Sequence, residues 1–134
     1  MKYELIKLIK KHNYKDKGLH IKVEIEKYVS KLQENATILF INENGIKAFA
    51  AFYCNEPTKN TAFLSLILVD EKTQGIGYGS FLLNNSIELL QRKGFKSYNL
   101  EVLKTNQKAI DFYKKFNFKV VQENELFFIM EKKL

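Results

Sequence analysis

The sequence predicts a mixed α/β fold in which helices cover both faces of a central mixed, mostly antiparallel sheet. A hairpin signal at residues 42–45 supports the antiparallel part, because Asn44-Gly45 is typical of tight turns between such strands. A glycine-rich turn joins the apolar run Thr61–Val69 to a segment with helical spacing, and such a crossover leads to a parallel strand. The 134 residues suffice for one domain spanning residues 1–134, and not for two.

The N-terminal part predicts two helices. Residues 3–11 carry Leu5, Ile6, Leu8 and Ile9 at helical spacing, and a polar, lysine-rich loop is expected at residues 13–18. Residues 19–32 predict a second amphipathic helix that ends near Asn35.

Six strands and two further helices follow. The strand over Thr61–Val69 is apolar on both faces, which predicts a central position in the sheet. One helix follows the glycine turn and stops at Gly94, and the other begins near Asn106. The strands are predicted at residues 36–41, 46–54, 61–69, 95–103, 118–122 and 126–130.

The turn at residues 74–80 is a candidate ligand site. Gly75, Gly77 and Gly79 permit dihedrals that a side chain would forbid, and they leave amide N–H groups uncovered at a helix N-terminus. Such a turn suits a phosphate or pyrophosphate, although glycines that serve packing alone explain these residues equally well. The spacing lacks the gap of the dinucleotide fingerprint, and no Gly-Lys-Ser/Thr of a nucleoside-triphosphate loop follows.

Two motifs resemble the GNAT family of N-acetyltransferases. Gln74, Gly77 and Gly79 match its Gln/Arg-x-x-Gly-x-Gly/Ala signature. About thirty residues downstream, residues 106–118 resemble the motif Asn-x-x-Ala-x-x-Phe-Tyr-x-Lys-x-Gly-Phe, with Asn117 in place of the glycine. The resemblance covers roughly residues 36–134. The family normally begins with a strand, which we expect to be short or absent here because no convincing strand precedes Tyr3.

The resemblance implies a site for acetyl-coenzyme A. Loop amides would hold the pyrophosphate, backbone groups of the preceding strand would meet the pantetheine arm, and Asn106 would hold that arm or simply cap its helix. The implied cofactor-binding residues are Ile67, Leu68, Val69, Gln74, Gly75, Ile76, Gly77, Tyr78, Gly79, Ser80, Asn106 and Tyr113.

Two residues are candidates for catalysis. The resemblance implies that Tyr113 donates a proton to the departing thiolate, whereas its helical stripe alone predicts a core tyrosine. In some family members a glutamate at the position of Glu101 acts as the base, and burial among apolar neighbours would suit that role. An exposed strand residue is the equally weighted alternative for Glu101.

These features predict an acetyl-coenzyme A-dependent enzyme that acetylates a primary amine directly, with a small-molecule acceptor favoured. A coenzyme A-binding domain without catalysis and a lysine-rich nucleic-acid module are the alternatives. The net charge of +7 rests on 22 basic residues of which Arg92 is the single arginine, and that composition disfavours base recognition.

Composition bounds the remaining properties. His12 and His20, with one cysteine, are too few for a metal site. The single cysteine fits a reducing cytoplasm, and no apolar run is long enough for a bilayer. A homodimer stays open.

Overall fold

The computed structural model describes residues 1–15 and 24–134, without the side chains of residues 13–15. The helices are α1 (Lys2–Lys15), α2 (Ile25–Asn35), α3 (Tyr78–Lys93) and α4 (Gln107–Lys115), with a short 3₁₀ turn at Glu71–Thr73. The strands are β1 (Thr37–Asn42), β2 (Ile46–Tyr53), β3 (Thr61–Val69), β4 (Ser97–Leu103), β5 (Lys119–Glu123) and β6 (Phe127–Lys133).

The six strands form one sheet in the order β1-β2-β3-β4-β6-β5. Only β3 and β4 pair in parallel, and α3 makes the crossover between them, while every other neighbouring pair is antiparallel. The predicted mixed, mostly antiparallel sheet is therefore confirmed.

Helices pack on both faces of the sheet, as predicted. On one face α3 and α4 bury Leu83, Leu90 and Ile110 against Tyr98 and Leu100 of β4. On the other face α1 and α2 pack against β2 and β3. That second core contains Leu5, Leu8, Ile9, Val29, Leu32, Phe49, Ala51, Leu66 and Leu68.

The element bounds differ from the predictions mainly at the N-terminus. The helix α1 begins at Lys2 and continues to Lys15, so residues 13–15 of the predicted polar loop are helical. Lysine, asparagine and tyrosine all tolerate a helix interior, and polarity alone did not end the helix. The rest of that loop and the first residues of the second predicted helix lie outside the described residues. No strand precedes α1 in the part of the chain that the structure describes.

The later elements agree closely with the predictions. β3 has the predicted bounds, and Gly94 ends α3 in the left-handed region, with φ of 87°. Asn117, which stands where the motif has glycine, also adopts a left-handed φ, 68°, after α4. This confirms that asparagine takes the backbone conformation in which glycine is usual at such a helix end. The ends of the other strands differ from the predicted ends by at most three residues.

The parallel strands β3 and β4 separate partway along their length. They pair only from Thr61 opposite Ser97 to Leu64 opposite Leu100. The next residue, Ser65, is a bulge, because Leu64 and Leu66 face consecutive residues of β2. A bulge bends its strand and increases the local twist, so β3 diverges from β4 beyond this point. An opening between two neighbouring strands results.

Candidate active site

A cavity of ≈ 700 Å³ lies at the opening between β3 and β4. The lining comes from both strands, from the glycine turn and α3, from α4, and from α1 and α2 on the other face of the sheet. Because it is lined from both faces, the cavity connects the two sides of the sheet through the gap. All of the sequence-predicted site residues line it except Ile76.

The glycine turn has the backbone geometry that the sequence predicted at two of its three glycines. Gly75 has φ of 87° and Gly77 has φ of 103°, and no atom lies within 4 Å of a Cβ built on either residue. Gly77 is the N-cap of α3, so the first amides of that helix are free to meet an anion. The expectation of a forbidden dihedral is wrong for Gly79. That residue lies inside α3, where a Cβ would make ordinary contacts of 3.6 Å with Phe112 and Val69.

Neighbouring side chains hold the turn in place. Gln74 Nε2 donates to the carbonyl oxygen of Val69 at 3.3 Å, which ties the turn to the end of β3. The Tyr78 hydroxyl donates to the Glu43 carboxylate on the turn between β1 and β2. The hydrogen bond to the carboxylate raises the pKa of Tyr78, because the phenol must keep its proton to donate, and the negative charge of Glu43 adds to the same effect. Ile76 is 62% exposed and is not among the residues that line the cavity.

The open edge of β3 offers backbone hydrogen-bonding groups to a ligand. Ile67, Leu68 and Val69 pair with β2 on one side, but they have no partner on β4. Their edge toward β4 therefore carries N–H and C=O groups without strand partners, and backbone groups of this kind are seldom left unsatisfied. An extended chain with amide groups has the chemistry to pair with this edge.

Asn106 caps α4 at the side of the cavity. Its Oδ1 accepts a hydrogen bond from the Ala109 amide at 3.1 Å. Asn106 therefore caps its helix, which is one of the two roles expected of it, and it also lines the cavity.

Tyr113 lies on α4 with its ring in an aromatic cluster. Its centroid is 5.4 Å from that of Phe112 and 5.8 Å from that of Phe118. The Tyr113 hydroxyl forms no hydrogen bond within the described residues. Every fully buried side-chain oxygen in those residues does have a hydrogen-bond partner. The hydroxyl is therefore not fully enclosed, and Tyr113 is one of the residues that line the cavity. Burial of the ring raises the pKa of Tyr113 to about 12, which keeps the phenol protonated at neutral pH.

Glu101 lines the cavity from β4 but is not buried. It is the exposed position of that strand, between buried Leu100 and Val102, and lies opposite Ile129 of β6. Of the two equally weighted expectations for Glu101, the exposed strand residue is the one that the structure shows, and burial among apolar neighbours is not. Strand alternation puts Leu100 and Val102 into the core and turns Glu101 to the opposite face.

His12, Tyr28 and Ser65 line the cavity on the face covered by α1 and α2. The Tyr28 hydroxyl and Ser65 Oγ are 2.6 Å apart, and burial raises the pKa of Tyr28 to about 12. His12 is only 8% exposed, and its Nδ1 lies 3.0 Å from the carbonyl oxygen of Leu8. A second recess adjoins the cavity at Tyr28, Phe63 and Ser65, and Lys27 and Lys31 also line it.

Sequence reasoning missed His12 and Tyr28 as cavity residues. His12 continues the buried stripe of Leu5, Leu8 and Ile9 on α1, which is a readable signal of burial. The sequence does not reveal that this stripe ends over the opening between β3 and β4.

Among the described residues, no group of three or more His, Cys, Asp and Glu side chains is placed to hold a metal ion. None of the described helices combines the length and hydrophobicity that crossing a membrane requires.

Comparison with known proteins places this site in context. The sequence model of a family described as "Acetyltransferase (GNAT) family" matches residues 3–118. No curated protein matches the sequence.

Three solved structures illustrate the similarity of fold. The PaiA N-acetyltransferase from Thermoplasma acidophilum, in complex with coenzyme A, shares 23% identity at a TM-score of 0.77, covering 99% of this chain and 92% of that one. The ribosomal-protein-S18-alanine N-acetyltransferase from Escherichia coli shares 23% identity at a TM-score of 0.73, with coverages of 94% and 86%. A GNAT family acetyltransferase from Elizabethkingia anophelis with acetyl-CoA bound shares 17% identity at a TM-score of 0.70, with coverages of 81% and 82%.

Proposed function

Because this chain belongs to the GNAT acetyltransferase family, whose activity is acetyl-coenzyme A-dependent acetyl transfer, we propose that it acetylates a primary amine of a small molecule. The acetyl group passes directly from the thioester to the amine nitrogen. None of the side chains named at the site forms a nucleophile–base pair that would carry the acetyl group covalently.

One observation carries the proposal: the opening between β3 and β4 leads from the N-terminus of α3 to Tyr113. The amides that follow Gly75 and Gly77 suit the pyrophosphate, and the unpaired edge at Ile67–Val69 suits the amide-bearing pantetheine arm. A thioester held along this edge has its sulfur toward α4. The residues present therefore fit the cosubstrate, including Asn106 at the same wall.

Tyr113 is the proposed proton donor for the departing thiolate. Its raised pKa keeps the proton available at neutral pH. Burial also disfavours a thiolate in the same cavity, so the proton affinity of the departing sulfur rises in the same direction as that of the phenolate. General acid catalysis of this kind typically contributes about 10²–10⁴-fold to the rate.

The amine must lose a proton before it attacks the thioester carbonyl. Glu101 is the sequence-predicted base, and it lines the cavity as the exposed position of β4. An exposed carboxylate attracts an ammonium group to the opening even where it does not itself take the proton.

The test is a panel of primary amines with acetyl-coenzyme A, read as release of free thiol. Because Lys27 and Lys31 line the adjoining recess, each amine is offered both as a free carboxylate and as its carboxamide. Turnover of at least one amine, abolished in Gly77→Val, supports the proposal. Coenzyme binding by calorimetry without turnover of any amine would favour the non-catalytic alternative.

The nucleic-acid alternative is tested separately. Dispersed lysines bind an arbitrary duplex weakly at physiological salt, and the affinity falls steeply as salt rises. Submicromolar binding at that salt, measured by fluorescence anisotropy, would place this alternative ahead of the enzyme.

A further inference from the structure

We propose that His12, rather than Glu101, is the base that removes the proton from the acceptor ammonium. This inference rests on the proposed function and assigns one residue within it.

The hydrogen bond to Leu8 determines which ring nitrogen of His12 carries the proton. A carbonyl oxygen can only accept, so Nδ1 is the donor in the 3.0 Å contact with the Leu8 oxygen. In the neutral imidazole the lone pair is then on Nε2. This nitrogen has no hydrogen-bond partner within the described residues, and no fully buried side-chain nitrogen there lacks one, so Nε2 is not fully enclosed. His12 is also one of the residues that line the cavity.

Packing holds His12 at the wide end of the opening. His12 is only 8% exposed and lies at the end of the α1 stripe that packs on Leu66 and Leu68 of β3. The adjacent Lys11 Nζ forms an ion pair of 3.0 Å with Asp70, the first residue after β3. These contacts tie this part of α1 to the end of β3 that has parted from β4.

His12 and Tyr113 approach the cavity from opposite faces of the sheet. His12 belongs to α1, which packs with α2, whereas Tyr113 belongs to α4, which packs with α3. A proton acceptor on one face and a proton donor on the other suit an amine and a thioester that meet in the gap between them.

Among the described residues, five other ionisable side chains line the cavity. Tyr28 remains protonated because burial raises its pKa to about 12. Glu101 is the exposed position of β4. The remaining ionisable lining residues are Tyr78, Lys108 and Tyr113.

The proposed proton transfers balance as follows. Nε2 of His12 takes one proton from the ammonium, and the neutral nitrogen forms a C–N bond to the thioester carbonyl carbon. The C–S bond then breaks, and the sulfur takes a proton from Tyr113. The nitrogen of the new amide then loses one more proton, which reaches the Tyr113 phenolate through solvent and restores the phenol. His12 releases to solvent the proton that it took from the ammonium.

The kinetic test compares two acceptors that the amine panel identifies, one protonated and one already neutral at pH 7. His12→Asn keeps an amide donor near the position of Nδ1 and removes Nε2. We expect kcat/KM for the protonated amine to fall about 10²–10⁴-fold at pH 7, with the loss shrinking as the pH approaches the amine pKa. The rate for the neutral amine should change little, and Glu101→Gln should not show this selective loss.

Two kinetic results would overturn the assignment. An equal loss with both acceptors makes His12 structural, and a selective loss confined to Glu101→Gln makes Glu101 the base. Thermal unfolding of each variant shows whether it is folded. If His12→Asn does not fold, His12→Gln is tested in its place.

Nuclear magnetic resonance tests the tautomer without any acceptor. The chain has only two histidines, so His20→Gln assigns the ring signals of His12. We expect the neutral ring to carry its proton on Nδ1, and an Nε2–H ring would contradict the proposal. Failure of the proposed function is a different outcome, namely coenzyme binding without release of thiol from any amine.

Discussion

The hydroxyls of Tyr28 and Ser65 lie 2.6 Å apart and join α2 to the bulge at which β3 leaves β4. The contact is half-buried and lies at the junction of the cavity with the lysine-lined recess. The residue that bends the strand is thus held by a helix residue that lies 37 positions earlier in the sequence.

Tyr28→Phe should lower the free energy of unfolding by about 1 kcal/mol, because it leaves Ser65 Oγ without this partner. Chemical denaturation measures the change. Tyr53→Phe is the matched control, since the Tyr53 hydroxyl forms no hydrogen bond within the described residues. Equal effects of the two substitutions would show that the Tyr28–Ser65 contact contributes nothing to stability.

The stability of the protein should decline in alkali between about pH 10 and pH 12. The pKa of Tyr28 is raised from 10.0 to about 12 by burial, so the unfolded chain loses this proton first. The stabilisation is therefore complete below pH 10 and is lost as the pH rises toward 12. Urea unfolding across this range should show a shallower decline for Tyr28→Phe, and parallel curves for the two proteins would contradict the assignment.

Gly77→Val should remove most of the binding of acetyl-coenzyme A, whereas Gly79→Ala should retain it. Valine at φ of 103° is strained, and its side chain would cover the amides at the start of α3. Alanine at position 79 meets only ordinary contacts of 3.6 Å inside the helix. Calorimetry measures both affinities. Wild-type affinity in Gly77→Val would exclude this turn as the pyrophosphate site.

Tyr113→Phe should lower kcat by about 10²–10⁴-fold and leave coenzyme binding and folding almost unchanged, because its hydroxyl has no partner in the described part of the chain. Tyr98→Phe is the opposite control. Its hydroxyl donates to Ser86 Oγ at 3.0 Å in the core, so this change should reduce stability and spare kcat. Full kcat in Tyr113→Phe, with chemistry shown to limit the rate, would make Tyr113 a core residue only.

Local signals in the sequence were enough for most of the architecture. The bounds of β3 follow from an apolar run between polar turns, and the hairpin after β1 follows from Asn44-Gly45. Gly75 and Gly77 were predicted in strained dihedrals, and both adopt them. These features depend on neighbours within a few residues, which is the range over which side-chain periodicity and backbone sterics act.

The tertiary structure alone decided how the site is completed. The bulge at Ser65 opens the gap, the strand alternation of β4 exposes Glu101, and the packing of α1 brings His12 over the same cavity. Each of these results from contacts between segments far apart in the sequence. Periodicity shows that a side chain such as His12 is buried, but only the packed sheet determines what it faces, because the partner surface comes from distant strands.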